Sequence, residues 1–221
     1  MPADQRPTLL ITRPRKAALR FAAMLPDVPS VIAPVLRIVP VAHDAGVLHG
    51  ARGLVFTSVH AVASAGAGQG RLAICVGGQT GQAARSAGFD VVEGQGTADS
   101  ILPLIATAPV PLVHPHGRHV AKTLPVRGIV VYDQQPVDIT PQAQALLAGQ
   151  TPVILPVFSP RSASLLSQQV KNAQARLWIV AISDTASRAW TGPAQRVIVA
   201  QRPDADAMKA AILQLLASEQ S

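Results

Sequence analysis

Short apolar runs rich in Val, Ile and Leu recur along the chain, separated by stretches whose apolar residues stand three and four apart. The first pattern marks strands buried on both faces, the second amphipathic helices. Read in order, the runs predict strands over 8–12, 53–56, 72–76, 91–92, 110–114, 153–158, 177–182 and 196–200. Helices are predicted over 17–25, 59–65, 80–87, 98–106, 141–147, 162–169, 185–190 and 205–216. Such alternation builds parallel sheets with helices on both faces. Two further β-rich runs, 35–41 and 128–136, are edged by proline, which suits connectors better than central strands.

The pattern repeats. Gly53 to Ser64 reads as a strand that breaks into Thr57 and Ser58, where a hydroxyl can accept from the free amides of a helix start. Val153 to Ala163 repeats it, with Phe56 and Phe158, Thr57 and Ser159, and Ala61 and Ala163 all 102 positions apart. Leu72 to Ala84 matches Leu177 to Ala189 without gaps at a separation of 105. Repeats this long indicate two similar lobes rather than a solenoid. The first β-α unit needs a sheet to join and is assigned to the C-terminal half. Residues 1–34 with 137–221 then form lobe 1, and 42–127 form lobe 2. The runs 35–41 and 128–136 cross between them as a paired antiparallel linker able to hinge. One continuous mixed sheet is the competing arrangement.

Composition narrows the function. Apolar residues make up 48% of the 221, ample for packed cores, but aromatics only 3%, too few for a base-stacking surface. The net charge of +7 favours anionic partners. Its basic residues are scattered and mostly Arg, which argues against nucleic acid and membrane and suits carboxylates, since the guanidinium fork binds both oxygens. Cys75, the single cysteine, excludes an internal disulfide and lies in an apolar run, as a buried thiol would. No secretory leader or membrane span is legible, so a soluble cytoplasmic protein is expected.

Candidate chemistry is sparse. Gly77-Gly-Gln-Thr-Gly81 follows a strand and opens a helix, so its amides could hold an anion, or Thr80 could be a plain cap; Thr185 poses the same choice. His114-Pro-His-Gly-Arg-His119 resembles a metal tract, but Pro115 and Gly117 make it a turn without nearby Asp, Glu or Cys, so no metal is expected. Arg118 stands at a strand end as a ligand contact or a solvated side chain. Tyr132, the only tyrosine, lies on a crossing strand, either as a proton donor or as packing.

Together these blocks resemble the uroporphyrinogen-III synthase family. The resemblance rests on Leu10-Ile-Thr-Arg-Pro14, Val55-Phe-Thr-Ser-Val-His-Ala61, Val76-Gly-Gly-Gln-Thr80, Gly88-Phe89, Thr97 to Ser100, His116-Gly-Arg118 and Val131-Tyr132. It continues through Phe158 to Ala163, Ile182 to Ala186 and the Pro203 to Leu213 tail. The family pattern differs at His60, where Asn is usual, near Gln134, where Thr is frequent, and at Ile182-Ser-Asp-Thr185. The resemblance implies two flavodoxin-like lobes and a two-stranded linker. It implies a monomeric lyase of haem biosynthesis that cyclises hydroxymethylbilane, a polycarboxylate, with inversion of ring D and without a cofactor. It implies Tyr132 as the catalytic residue. It further implies Arg13, Ser58, His60, Gly77, Thr80, Arg118, Ser159, Arg161 and Thr185 as substrate contacts. The alternative is a non-catalytic two-lobe binding protein for an anionic metabolite.

Overall fold

The structure, a computed structural model, describes residues 6–219. The chain opens with β1 (Thr8–Ile11), α1 (Arg15–Ala22), β2 (Ser30–Ile32) and β3 (Leu36–Pro40). There follow α2 (Ala45–His49), β4 (Gly53–Phe56), a 3-10 segment (Val59–Ala65), β5 (Leu72–Cys75), α3 (Gly78–Ser86) and β6 (Asp90–Glu93). A 3-10 turn (Asp99–Ile101) leads into α4 (Leu102–Ala106), then β7 (Leu112–Gly117) and β8 (Arg127–Pro136). The rest is α5 (Pro141–Leu147), β9 (Val153–Val157), α6 (Pro160–Gln169), β10 (Leu177–Ala181), α7 (Asp184–Arg188), β11 (Arg196–Val199) and α8 (Ala205–Ser218).

The chain divides into two compact units, 1–37 with 136–221 and 38–135. In the first, the sheet runs β11-β10-β9-β1-β2 with every neighbouring pair parallel. Its strands are apolar on both faces because helices cover both. Leu10, Leu155 and Ile179 pack with Ala143, Leu147, Ala163 and Leu166 of α5 and α6. The alternate residues Leu9, Ile11, Ile154, Trp178 and Val180 pack on the other side with Phe21 of α1 and Met208, Ile212 and Leu215 of α8. The split follows from the two-residue period of side chains along a strand.

The second unit holds the sheet β3-β8-β7-β4-β5-β6. From β8 to β6 its strands are parallel. Beside β8, the amide of Val41 donates to Val131 O at 2.9 Å and that of Val137 to Val35 O at 3.0 Å. Numbers rising on one strand and falling on the other make β3 and β8 antiparallel. Phe56, Ala73 and Cys75 pack with Ala61 and Ala65 of the 3-10 segment and Ala84 of α3, whereas Val55 and Ile74 face Ile101 and Ile105. Helix α3 stops as its sequence indicates. Gly88 adopts φ +86°, its amide donates to Arg85 O at 2.9 Å, and that of Phe89 donates to Ala84 O at 3.1 Å.

Three local expectations are corrected. The segment after Ser58 is 3-10 rather than α-helix. The tract read as a turn at Pro115 and Gly117 continues as β7, paired with β8 through Tyr132. Neither Thr80 nor Thr185 is a cap: Gly77 and Ser183 hold those positions. Strand β2 and helix α2 were not anticipated.

Candidate functional site

Doubly wound sheets bind ligands outside the C-terminal strand ends, where the strand order reverses direction. In the first unit the reversal falls between β1 and β9, and in the second between β4 and β7. Both places carry the same peculiarity, a proline in a central strand. Pairing with β1 is registered to Ile154 of β9, and Pro156 stands two residues on. Pairing with β4 is registered to Val113 of β7, and Pro115 stands two residues on. A residue without an N–H suits the point where a ladder ends.

Around the second reversal the structure brings Tyr132, Ser58 and His60 together. The Tyr132 side chain is buried, the residue being 5% exposed. The phenol lies against Gly117, where a Cβ would be 2.9 Å from its oxygen. Burial raises the phenol pKa above its ordinary 10.0, against the lowering effect of the Ser58 side chain and the Gly117 backbone, so the group is a neutral donor at physiological pH. His60 is exposed and meets the ring edge-on, with centroids 5.7 Å apart. Ser58 caps the 3-10 segment, accepting from the His60 amide at 3.3 Å. Gly117 permits the contact, since a Cβ there would lie 2.5 Å from Tyr132 Cε2.

Beneath this group, Thr57 Oγ1 and His114 Nε2 form a 2.9 Å hydrogen bond. His114 is buried, and its pKa falls from 6.5 to about 4, first through burial and then through His116, whose ring is 4.8 Å away. His116 donates from Nδ1 to Gly117 O at 2.7 Å. Arg118 sends its amide to Tyr132 O at 2.9 Å, while its exposed guanidinium pairs with Asp133 at 3.4 Å. His119 reaches the other Asp133 oxygen at 3.7 Å. On the next strand over, Gly77 starts α3 and Thr80 is buried in its first turn.

The first unit gathers Arg13, Ser159 and Arg161 at its own reversal. The Arg13 guanidinium lies 4.0 Å from the centroid of the Phe158 ring, which Phe21 meets edge-on at 4.9 Å. Burial, followed by Arg20, lowers the Arg13 pKa to about 10, so it remains cationic at neutral pH. Ser159 caps α6, accepting from the Ser162 amide at 3.1 Å, and Arg161 lies in that first turn. Thr185 is exposed in the first turn of α7, one strand away, with its hydroxyl 2.9 Å from that of Ser183. Helix starts at these points place free N–H groups beside the arginines, an anion-attracting combination. Sequence reasoning missed His114 as a partner of Thr57, and Asp133 as a partner of Arg118. A contact spanning 57 positions leaves no local signal. Among the described residues, no group of three or more His, Cys, Asp and Glu could hold a metal ion.

Two mainly parallel sheets with helices packed on their faces define an α/β protein of the doubly wound class. The family described as Uroporphyrinogen-III synthase HemD matches residues 28–210, and the chain belongs to that family. Its fold is similar to uroporphyrinogen-III synthetase from Helicobacter pylori 26695, at TM-score 0.64 and 15% identity over 95% of this chain and 99% of that one. It is also similar to a mutant uroporphyrinogen III synthase from the extremely thermophilic bacterium Thermus thermophilus, at TM-score 0.53 and 17% identity over 95% and 98%. No curated protein matches it significantly. The family's activity, cyclisation of hydroxymethylbilane with ring D inversion, is a hydro-lyase reaction of haem biosynthesis, and this chain is an enzyme of that class. Among the described residues, no helix is long and apolar enough to cross a membrane.

Proposed function

We propose that Tyr132 assists departure of the substrate's terminal hydroxyl and that polar groups at the C-terminal strand ends bind its carboxylates. The observation carrying this is the placement of the phenol: buried, edge-on to the His60 ring and packed against Gly117, with the Ser58 side chain acting on it. A proton given to the hydroxyl lets it leave as water while the pyrrole nitrogen donates electrons, giving an electrophilic azafulvene. The substituted carbon of the far ring attacks it, and the spiro intermediate fragments and recloses with that ring reversed. The last ring closure releases a proton, which restores the phenol. Closure without inversion needs no enzyme, so the work of the protein is to fix the chain ends in the less accessible geometry.

Carboxylates are the natural ligands of Arg13, Arg118 and Arg161, and of the hydroxyls and amides at Ser58, His60, Gly77, Thr80, Ser159 and Thr185. The two units are read as flavodoxin-like lobes joined by 35–41 and 128–136. Supporting this, the first sheet follows the order 2-1-3-4-5, and the parallel strands of the second follow 3-2-1-4-5, the other doubly wound order.

The test is to incubate the purified protein with hydroxymethylbilane and resolve the isomers. Wild type should yield the type III product, and Tyr132→Phe should lower kcat at least about tenfold with unchanged circular dichroism. Undiminished turnover in that variant removes Tyr132 from the mechanism.

A further inference from the structure

We propose that His114 is a positioning residue: its hydrogen bond to Thr57 sets the spacing between the ends of β4 and β7, and so holds Ser58 and Gly117 together on the Tyr132 phenol. The inference rests on the reading of Tyr132 given above.

The phenol is held from two strands at once. Ser58 follows β4, and Gly117 ends β7. Between those strands the registered pairs are Gly53–Leu112 and Leu54–Val113. Past that point Pro115 cannot donate to a ladder, and the side-chain bond from Thr57 to His114 spans the gap instead. Thr57 is the chain neighbour of Ser58, so its anchorage fixes where the Ser58 hydroxyl points. Gly117 is fixed from the opposite side by its registered pairing with Tyr132 and by the Nδ1 bond of His116 to its carbonyl. The His114 ring, buried and packed against the tilted ring of His116, has little freedom to swing. A side-chain bond of this kind costs little where the alternative is an unpaired imidazole in the core.

The chain has a single tyrosine, so incorporation of 3-fluorotyrosine labels position 132 alone. Fluorine lowers phenol pKa, which brings the titration into a range where the fold is retained, and the fluorine resonance reads the midpoint without substrate. Thr57→Val keeps the shape and removes the hydroxyl. His114→Leu removes the partner, and His114→Gln offers an amide nitrogen near the same place.

Loss of the bond loosens Ser58, whose contact lowers the phenol pKa, so the midpoint should move to higher pH in Thr57→Val and His114→Leu. In both, kcat should fall about tenfold with KM within about twofold. The double variant should be no worse than either single one, and His114→Gln should recover most of the loss. If His114→Leu does not fold, Thr57→Val carries the test alone. An unmoved midpoint, or a moved midpoint with undiminished kcat, overturns the proposal. Tyr132→Phe assayed alongside separates the two failures: if it too is fully active, the fault lies in the reading of Tyr132 rather than in the coupling of His114 to it.

Discussion

Arg71 offers the sharpest stability test. It stands just before β5, and its guanidinium reaches six backbone carbonyls. Nε donates to Gly68 O at 3.1 Å; one terminal nitrogen reaches Leu48, His49 and Ala51 at 2.8, 3.2 and 3.2 Å; the other reaches Ala65 and Ala67, both at 2.9 Å. Those carbonyls close α2, the 3-10 segment and the loop before β5, so one side chain ties three pieces of the second unit. The bonds to His49 and Ala67 are exposed, and water replaces them cheaply. The four to Gly68, Leu48, Ala51 and Ala65 are partly buried. At about 1 kcal/mol net for each of these, with a charged donor at the upper end, Arg71→Met should cost about 3–5 kcal/mol. Arg71→Lys keeps the charge, but its single nitrogen cannot serve both sides, so about half that cost is expected. Urea unfolding followed by circular dichroism measures it, with a midpoint shift on the order of 2 M for Arg71→Met. Trp178 and Trp190, the only tryptophans, both lie in the first unit, so their fluorescence reports that unit separately. If Arg71→Met stays within about 1 kcal/mol of wild type, the carbonyl cluster is not what holds these loops.

Other expectations follow from the same contacts. Gly117→Ala puts a methyl against the phenol and should lower kcat more than about tenfold while destabilising by about 1–3 kcal/mol, read by isomer assay and thermal melt. His114 is neutral in the fold at a pKa of about 4 against an ordinary 6.5, so its contribution is complete above 6.5 and is lost as pH falls toward 4. That loss amounts to about 3 kcal/mol, and His114→Gln should flatten the acid limb of urea midpoints measured between pH 7 and 4.5. Cys75, pushed up to about 11 chiefly by burial and then by Glu93, should resist thiol reagents at pH 8 until the protein is unfolded. Phe158→Leu removes the ring under Arg13 and should raise KM several-fold with a smaller effect on kcat, checked by steady-state kinetics.

Where local chemistry and tertiary need agree, the sequence was legible. Helix α5 begins where Thr140 caps it and Pro141 pre-sets its first turn, and its predicted limits match the observed ones. Strands β4, β5, β9 and β10 were plain because burial on both faces forces continuous apolar runs. Strand β2 was not, since Ser30-Val-Ile32 is a three-residue edge between prolines and exists through its pairing with β1. Helix α2 carries two weak helix formers, Gly46 and Gly50, around its five residues, and only the Asp44 cap hinted at it. In the site, Ser58 and Tyr132 were both singled out and do meet. The length of β7 was misjudged because Pro115 signals a break locally, whereas pairing with β8 carries the strand past it.

The discontinuity of the first unit has a consequence for biosynthesis. Its strand β1 pairs locally with β2 but waits for β9 on its other side, where the registered partner of Thr8 is Val153, 145 positions later. A ribosome releases all of 38–135 before Val153 emerges, so the middle of the chain can reach its native form while β1 has β2 beside it but still lacks its β9 neighbour. A finished middle segment also shortens the effective loop that β1 must close, sparing part of the entropy that a fully unfolded connection would lose.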